Sequence, residues 1–157
     1  MYLSPMSPRR PPPSPAPTPL APLLQEHGFI LLYDGVCGLC NRTVRWILRH
    51  DRDGAMRFAP LDSAIGREAR RLLPSLAGVD SVILLHRNGA WVKSTAVLEI
   101  ARYVGGPWRL ALIGYLLPRA LRDWMYDRVA RVRYRVFGRY DACPLPPPEQ
   151  RQRFLGA

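Results

Sequence analysis

Cysteine, lysine and long apolar runs are all scarce in this chain. Its 157 residues include three cysteines, which are too few, and odd in number, for a secreted scaffold stapled by disulfides. No apolar run approaches the ~20 residues that a membrane-spanning helix needs. No apolar stretch typical of a secretory signal follows Arg9 and Arg10. Together these absences favour one soluble, cytoplasmic domain whose thiols are reduced at rest.

Lysine is nearly absent although the chain is strongly basic. Lys93 is the only lysine, and arginine supplies the rest of the basic residues behind a formal net charge of +11. Such a charge is typical of nucleic-acid-binding proteins, but no DNA- or RNA-binding motif is present. The arginines accompany 17 prolines and abundant alanine and leucine, which indicates a compositional bias. We therefore expect no nucleic-acid partner, although the charge favours nonspecific attraction to acidic partners and anionic lipid.

The stretch around which the chain is organised is FILLYDGVCGLC, residues 29–40. Phe29–Tyr33 is a continuous apolar run with the length and composition of a buried strand, and Asp34-Gly35 is a turn signal. A helical pattern follows to about residue 50. Its apolar face is formed by Cys40, Val44, Ile47 and Leu48. The pattern therefore places Cys37 and Cys40 where a strand passes into a helix, with Cys37 at or just before the helix N-terminus.

This position predicts thiol chemistry. The first amides of a helix are unpaired donors with partial positive charge, so they stabilise a thiolate and lower the pKa of a thiol placed there. We expect Cys37 to be exposed and to attack, and Cys40, one turn further along, to be shielded and to resolve the mixed disulfide. Asp34 has two interpretations: its side chain holds the turn by bonding amides near Cys37, which we favour, or it accepts a proton during exchange.

Two other interpretations of the cysteine pair stay open. A Cys-x-x-Cys pair is also half of a zinc site, whose other half would need Cys143 and one of His27, His50 or His86. None of these residues forms a second closely spaced pair. The two cysteines could also be inert core residues that fall at this spacing by chance. Redox chemistry is favoured because a Cys-x-x-Cys beside a strand–helix–strand pattern is typical of it.

The remaining patterns predict an α/β fold. A short strand at 56–59 follows the first helix, which makes a βαβ unit with parallel strands. Asp62 or Ser63 is expected to cap a second helix that Pro74 ends. Strands at 81–86 and 90–93 flank an Asn88-Gly89 hairpin turn. Ser94 or Thr95 is expected to cap a third helix, with its inner face at Val97, Ile100, Ala101 and Val104. The element order is β-α-β-α-β-β-α.

The two ends of the chain differ from this core. Residues 1–22 form a proline-rich tail that we expect to be disordered, and 144–157 form a second proline-rich tail. The domain itself is expected to span 28–143, with a helical addition from about 107. One helix of the addition has an apolar face at Leu121, Met125, Val129, Val132 and Val136. We expect this face to pack on the domain with arginine stems reaching outward; binding to a membrane surface is the alternative.

Several stretches resemble the DCC family of thiol-disulfide oxidoreductase-like proteins, named for an Asp and two Cys. The first is YDGVCGLC at 33–40, which supplies Asp34, Cys37 and Cys40. The others are RFAPLDS at 57–63, DSVILL at 80–85, GGPWRL at 105–110 and RYRVFGRYDAC at 133–143. The resemblance covers about 28–157 and implies a thioredoxin-like fold, whose element order is the one above. One departure is that 79–81 lacks the proline that such enzymes usually carry before the third strand.

The resemblance also implies thiol–disulfide oxidoreduction. Cys37 would be the nucleophile, Cys40 the resolving thiol and Asp34 the residue that shapes the turn. Since the electrons are held in the cysteine pair, no organic cofactor is expected, and the substrate would be a thiol or disulfide in a protein or a small molecule. Cys143 lies in the last matching stretch; it could be a second resolving thiol, a third metal ligand or a packed thiol, which we favour. The alternatives to an enzyme are a metal-binding module with the same cysteines and a non-catalytic membrane-surface or protein-interaction adaptor.

Overall fold

A four-stranded mixed sheet forms the centre of the fold. The structure, a computed structural model, describes residues 20–156. The strands are β1 (Phe29–Tyr33), β2 (Arg57–Pro60), β3 (Ile83–His86) and β4 (Gly89–Val92). Their order in the sheet is β2-β1-β3-β4. β1 runs parallel to β2 and antiparallel to β3, which is antiparallel to β4. This arrangement confirms the predicted βαβ unit, the hairpin and the thioredoxin-like α/β fold.

Five α-helices surround the sheet. They are α1 (Leu20–His27), α2 (Gly38–His50), α3 (Ala64–Leu72), α4 (Lys93–Val104) and α5 (Arg119–Phe137). Three 3₁₀ segments complete the described chain, at Pro74–Leu76, Gly106–Leu116 and Pro148–Arg153. Pro107 lies in the first turn of the second of these segments, where its missing amide hydrogen costs nothing.

The alternation of side chains along β1 divides the core into two clusters. Leu31 and Tyr33 point to one face, where they meet Val44 and Ile47 of α2 and Ile100 of α4. Ile30 and Leu32 point to the other face, which α1 and α3 cover. Both cysteines of the pair belong to the first cluster. The cysteine pair therefore lies on the sheet face that α2 and α4 cover, and α5 contacts both of these helices.

The predicted N-terminal cap is present in α3 and absent in α4. The side chain of Ser63 caps α3 by accepting a hydrogen bond from the Gly66 amide at 3.2 Å, as predicted. The predicted cap of α4 by Ser94 or Thr95 is wrong, since that helix begins at Lys93 without a side-chain cap. Ser94 instead uses its amide and hydroxyl to bond Asp123 of α5. The contact with α5 thus replaces the local cap.

The buried face of α4 also differs from the prediction. Val97, predicted to face inward, is 47 % exposed, while Ala96 and Leu98 on either side of it are buried. Ile100 and Ala101 are buried as predicted. The helix begins earlier than expected and contacts both the sheet and the 3₁₀ segment Gly106–Leu116. It therefore buries residues on two sides, whereas packing on the sheet alone would bury one.

Both predicted tails reach into the described structure. Residues 20–22, assigned to the disordered tail, belong to α1, so the prediction is wrong for these three residues; its remainder, 1–19, lies outside the described residues. Near the other end, Phe154 stacks on Phe58 with ring centroids 5.3 Å apart. The Leu155 amide donates to the Phe58 carbonyl oxygen at 2.7 Å, and Arg153 pairs with Asp51. The chain after 148 therefore lies against β2.

The apolar face of α5 points away from the domain, contrary to the prediction. Leu121, Met125, Val129, Val132 and Val136 are all exposed. Within α5, the one residue that is buried is Arg133. The helix thus buries a charged side chain, which pairs with Asp34, and leaves its apolar stripe exposed.

Candidate active site

Cys37 lies at the N-terminus of α2, as predicted. It is the residue that caps the helix, with an extended backbone, and its Sγ accepts a hydrogen bond from the Cys40 amide at 3.4 Å. Its own amide donates to the Asp34 carbonyl oxygen at 3.2 Å, which closes the turn after β1. A sulfur that accepts from a helix amide is placed where negative charge is stabilised. The local geometry therefore suits a thiolate at Cys37.

The expectation that Cys37 is exposed is wrong. Cys37 has no exposed surface, because residues 137–140, which we call the cover segment, lie over it. The Gly38 amide donates to the Gly138 carbonyl oxygen at 3.0 Å, and the Tyr140 amide donates to the Val36 carbonyl oxygen at 2.7 Å. Cys37 and Arg139 are paired as in an antiparallel bridge. The cover segment follows α5, so a sequence window around the cysteines could not reveal it.

Glycine is required at position 38 for this cover to form. A Cβ atom at Gly38 would stand against the carbonyl oxygen of Phe137, closer than van der Waals contact permits. Gly35 is restricted as well, since a Cβ atom there would lie 2.7 Å from Sγ of Cys143. The glycines of the YDGVCGLC motif thus allow the close approach of the C-terminal segment.

Cys40 is shielded, as predicted, and is held as a thiol. It is 5 % exposed and lies on the inner face of α2. Burial, followed by the charge and hydrogen bond of Cys37, raises the pKa of Cys40 from 9.0 to about 12. The Asp34 backbone and Arg133 oppose this shift without cancelling it. Cys40 is therefore held in its protonated, weakly nucleophilic form.

Asp34 joins the turn to α5. Its Oδ1 accepts a hydrogen bond from the Val36 amide at 3.1 Å, which is the bond that the turn-holding interpretation predicts. Its Oδ2 accepts from Arg133 at 3.3 Å and from the Tyr134 hydroxyl. With both oxygens engaged, the carboxylate fixes the turn that carries Cys37. A role for Asp34 as a proton acceptor stays a prediction.

Arg133 is the residue of the site that sequence reasoning missed. Its side chain is 10 % exposed and forms an ion pair with Asp34. Burial alone would lower the pKa of Arg133, but Tyr134, Cys40 and Cys37 together raise it. The guanidinium therefore stays charged beside both cysteines. The signal that could have found it is the helical spacing of Tyr126, Ala130, Arg133 and Phe137, which share one face of α5.

Cys143 lies at the edge of the site and is exposed rather than packed, contrary to the interpretation that we favoured. Its Sγ is 3.8 Å from the Tyr33 hydroxyl. Burial, then the charge of Cys143, raises the pKa of that tyrosine. Cys143 thus lies beside Tyr33 and Gly35, at the turn that precedes Cys37.

The structure offers no metal centre at the pair. Within residues 20–156, no group of three or more His, Cys, Asp or Glu side chains is arranged to hold a metal ion. The zinc interpretation needed His27, His50 or His86 as a further ligand. His50 instead bonds the Trp46 carbonyl oxygen at 2.8 Å, and His86 stacks on Trp91. In the described chain, the zinc interpretation therefore has no arranged set of further ligands beside the pair.

An apolar cavity of about 570 Å³ adjoins Cys40. Its walls come from α2, α4, α5 and the 3₁₀ segment Gly106–Leu116. Apolar side chains form most of the lining, and Arg122 and Arg133 are its charged members. Cys40 thus borders a hydrophobic space.

The comparisons with known proteins agree with this geometry. Residues 31–139 match the model of the DCC1-like thiol-disulfide oxidoreductase family. The chain is 38 % identical over 128 residues to the uncharacterized protein YuxK of Bacillus subtilis, covering 80 % of this chain and 93 % of that protein. The chain belongs to the DCC family. A chloroplastic DCC family protein of Arabidopsis thaliana is 41 % identical over 120 residues, covering 74 % of this chain and 69 % of the plant protein.

Membership of the DCC family supports a redox role for the chain, and the Cys37-x-x-Cys40 pair that such a role needs is present. The family match includes Asp34, both cysteines of the pair and Arg133, and it ends before Cys143. No solved structure matches the chain.

Proposed function

We propose that the protein is a thiol–disulfide oxidoreductase in which Cys37 attacks and Cys40 resolves. The observation that carries the proposal is the hydrogen bond from the Cys40 amide to Cys37 Sγ at the N-terminus of α2. Three further features support it. The Arg133 guanidinium is paired with Asp34 of the turn that carries Cys37, the pKa of Cys40 is raised, and the family is one of thiol-disulfide oxidoreductases.

The reaction proceeds by two sulfur exchanges. The Cys37 thiolate attacks one sulfur of a substrate disulfide, forms a mixed disulfide and releases the other half of the substrate as a thiolate. Cys40 then loses its proton and attacks the Cys37 sulfur, which releases the second substrate thiolate and leaves a Cys37–Cys40 disulfide. The substrate gains two electrons and the pair loses two. A thiol reductant reverses the sequence and regenerates the pair.

The raised pKa of Cys40 gives these two steps an order. While Cys37 carries negative charge, it helps to keep the Cys40 proton in place. Once Cys37 is bound in a mixed disulfide, that charge is gone, and the pKa of Cys40 falls toward the value set by burial alone. The charge on Cys37 thus opposes ionisation of Cys40 before the first exchange and no longer opposes it afterwards, while burial continues to raise the pKa of Cys40.

Substrate access requires the cover segment to move. Cys37 has no exposed surface, and two backbone hydrogen bonds hold residues 138 and 140 over the turn. Such contacts open locally at a lower free energy than the core. A substrate disulfide reaches Cys37 when these bonds open, which limits the exchange rate without changing the chemistry.

The test is turnover of a disulfide with glutathione as the reductant, followed by intact-mass analysis. The wild type should reduce the disulfide, Cys37→Ser should be inactive, and Cys40→Ser should accumulate a mixed disulfide on Cys37. Cys143→Ser is the matched control, since it removes a thiol near the same turn and should keep turnover. Equal rates for the wild type and Cys37→Ser would contradict the proposal.

The setting in which we place this reaction is the cytoplasm. The chain has three cysteines, which are too few for a secreted scaffold stapled by disulfides, and this supports the proposal. The substrate class that the family implies is a thiol or a disulfide. Fractionation of cells followed by alkylation of the pair would test the location: oxidised cysteines in an extracytoplasmic fraction would contradict it.

A further inference from the structure

Large exposed apolar side chains are concentrated in one part of the molecule. Most of those in the described chain lie between residues 108 and 136, and Leu110 and Leu116 are 71 % and 84 % exposed. A patch of this kind on a protein surface marks an interaction site. The patch belongs to the 3₁₀ segment Gly106–Leu116 and to α5, which adjoin each other on the outside of α4.

The core of the patch is a stripe along α5. Leu121, Met125, Val129, Val132 and Val136, which we call the α5 stripe, recur every three or four residues along the helix, so they share one side of it. Every member is between 41 % and 65 % exposed. The adjoining side of α5 holds Arg133, which pairs with Asp34, and Tyr126, whose hydroxyl accepts a hydrogen bond from the Val82 amide. The stripe therefore has no covering element within residues 20–156.

The charges beside the α5 stripe are positive. Between residues 106 and 139 the chain has eight arginines and two aspartates. The two aspartates are engaged: Asp123 bonds Ser94 and pairs with Arg119, and Asp127 pairs with Lys93. The exposed arginines of this segment are Arg109, Arg119, Arg128, Arg131, Arg135 and Arg139. The surface thus combines apolar side chains with a net positive charge, even though Arg119 is paired with Asp123.

Charge decides between the two occupants that would cover such a surface. A second copy of the chain would place this basic surface against an identical one, and like charges at an interface are strongly unfavourable. An anionic lipid bilayer supplies negative headgroups for the arginines and a hydrocarbon boundary for the stripe. Trp108 and Trp124, which are both exposed, are of the residue type that prefers this boundary. We infer that the α5 stripe and its arginines bind an anionic lipid surface.

This binding is peripheral. In the part of the chain that the structure covers, no helix combines the length and apolar character needed to cross a bilayer. α5 has arginines distributed along its length, so it would lie in the interface plane with only its outer side in contact with lipid. The cavity beside Cys40 shares Met125 and Val129 with the α5 stripe, so its opening would face the lipid. The inference does not depend on whether the cysteine pair carries out exchange.

The test is co-sedimentation of the full chain with vesicles of phosphatidylcholine alone or mixed with phosphatidylglycerol. We expect strong binding to the mixed vesicles, weak binding to the neutral ones, and a decline at high salt because the charge attraction is screened. The variant Leu121→Glu with Val132→Glu should lower the partition onto anionic vesicles by roughly tenfold or more, since it removes apolar contact and two units of net positive charge.

A matched control separates the stripe from the net charge. Leu72 and Leu145 are exposed leucines outside the patch, so Leu72→Glu with Leu145→Glu changes the net charge equally and should keep most of the binding. Circular dichroism and slow alkylation of Cys37 would show that both variants stay folded. Equal loss in the two double variants, or no binding of the wild type to anionic vesicles, would overturn the inference. So would a dimer, detected by light scattering, that only the stripe variant dissociates.

Discussion

Two regions of the molecule use similar residues in opposite ways. Between residues 29 and 104, most apolar side chains at strand and helix spacing are buried, and Ile47, Phe58 and Leu84 have no exposed surface. In α5 the apolar stripe is exposed and an arginine is buried. The difference is whether a sheet face is available to cover the element. Periodicity shows which residues share a side of a helix, but the neighbours of the helix decide which side turns inward.

The largest expected contrast is in stability. Phe58→Ala removes a fully buried ring from the core that contacts α2 and Phe154, which should lower the free energy of unfolding by about 3–5 kcal/mol. Val132→Ala in the α5 stripe should change it by less than about 0.5 kcal/mol. Urea denaturation of both variants measures the contrast. A comparable loss at Val132 would show that the stripe is covered in solution and that the two regions do not differ.

The next largest effect on stability is expected at Arg133, the α5 residue that pairs with Asp34 in the turn of the cysteine pair. Arg133→Met leaves the Asp34 carboxylate without its buried cation, which should lower the free energy of unfolding by about 3 kcal/mol. Arg131→Met, on the exposed side of the same helix, is the control and should have little effect. The same denaturation experiment applies. If both substitutions behaved alike, the ion pair between α5 and the turn would contribute nothing.

A smaller effect on stability is expected at Gly38, where the start of α2 contacts the backbone at the end of α5. Alanine in a helix is normally more stable than glycine by about 0.5–1 kcal/mol. Gly38→Ala should instead destabilise the protein by about 1–3 kcal/mol, because the methyl group collides with the Phe137 carbonyl oxygen. Displacing the cover segment should also speed alkylation of Cys37. Mass-mapped alkylation checks this, and an unchanged rate would mean that the cover segment does not limit access.

The pH dependence of stability should report the burial of Cys40. Its pKa is raised from 9.0 to about 12 in the folded protein, so its contribution to stability is complete below pH 9 and is lost as the pH rises toward 12. Between these values the unfolded chain releases the proton and the folded chain keeps it. The wild type should therefore lose up to about 1.4 kcal/mol per pH unit more than Cys40→Ala. Parallel pH profiles for the two proteins would contradict the assignment.

The smallest effect on the pH dependence of exchange is expected from Asp34→Asn, although loss of the ion pair with Arg133 should lower the free energy of unfolding. The amide oxygen can still accept from the Val36 amide, so the turn should persist while the ion pair with Arg133 is weakened. If Asp34 only holds the turn, the pH profile of the exchange rate should keep its shape. A profile that loses one ionisation in this variant would instead assign a proton-accepting role to Asp34.

The sequence predicted the local part of the site and not its long-range part. The strand, the turn and the helix that position Cys37 and Cys40 follow from neighbouring residues, and so does the Ser63 cap. The burial of Cys37 and the ion pair between Asp34 and Arg133 join residues about a hundred positions apart. No periodicity links such residues, so the exposure predicted for Cys37 was wrong. The start of α4 was missed for the same reason, since Ser94 bonds Asp123 of a distant helix.

The position of the cover segment has a consequence during synthesis. Cys37 and Cys40 are translated early, but residues 137–140 that enclose them follow about 100 residues later. At about 5–20 residues per second on the ribosome, the thiols stay open to the surroundings for about 5–20 s. Oxidants and metal ions in the cell therefore meet the cysteines before the fold can protect them. A chain truncated before residue 137 would keep that exposure permanently.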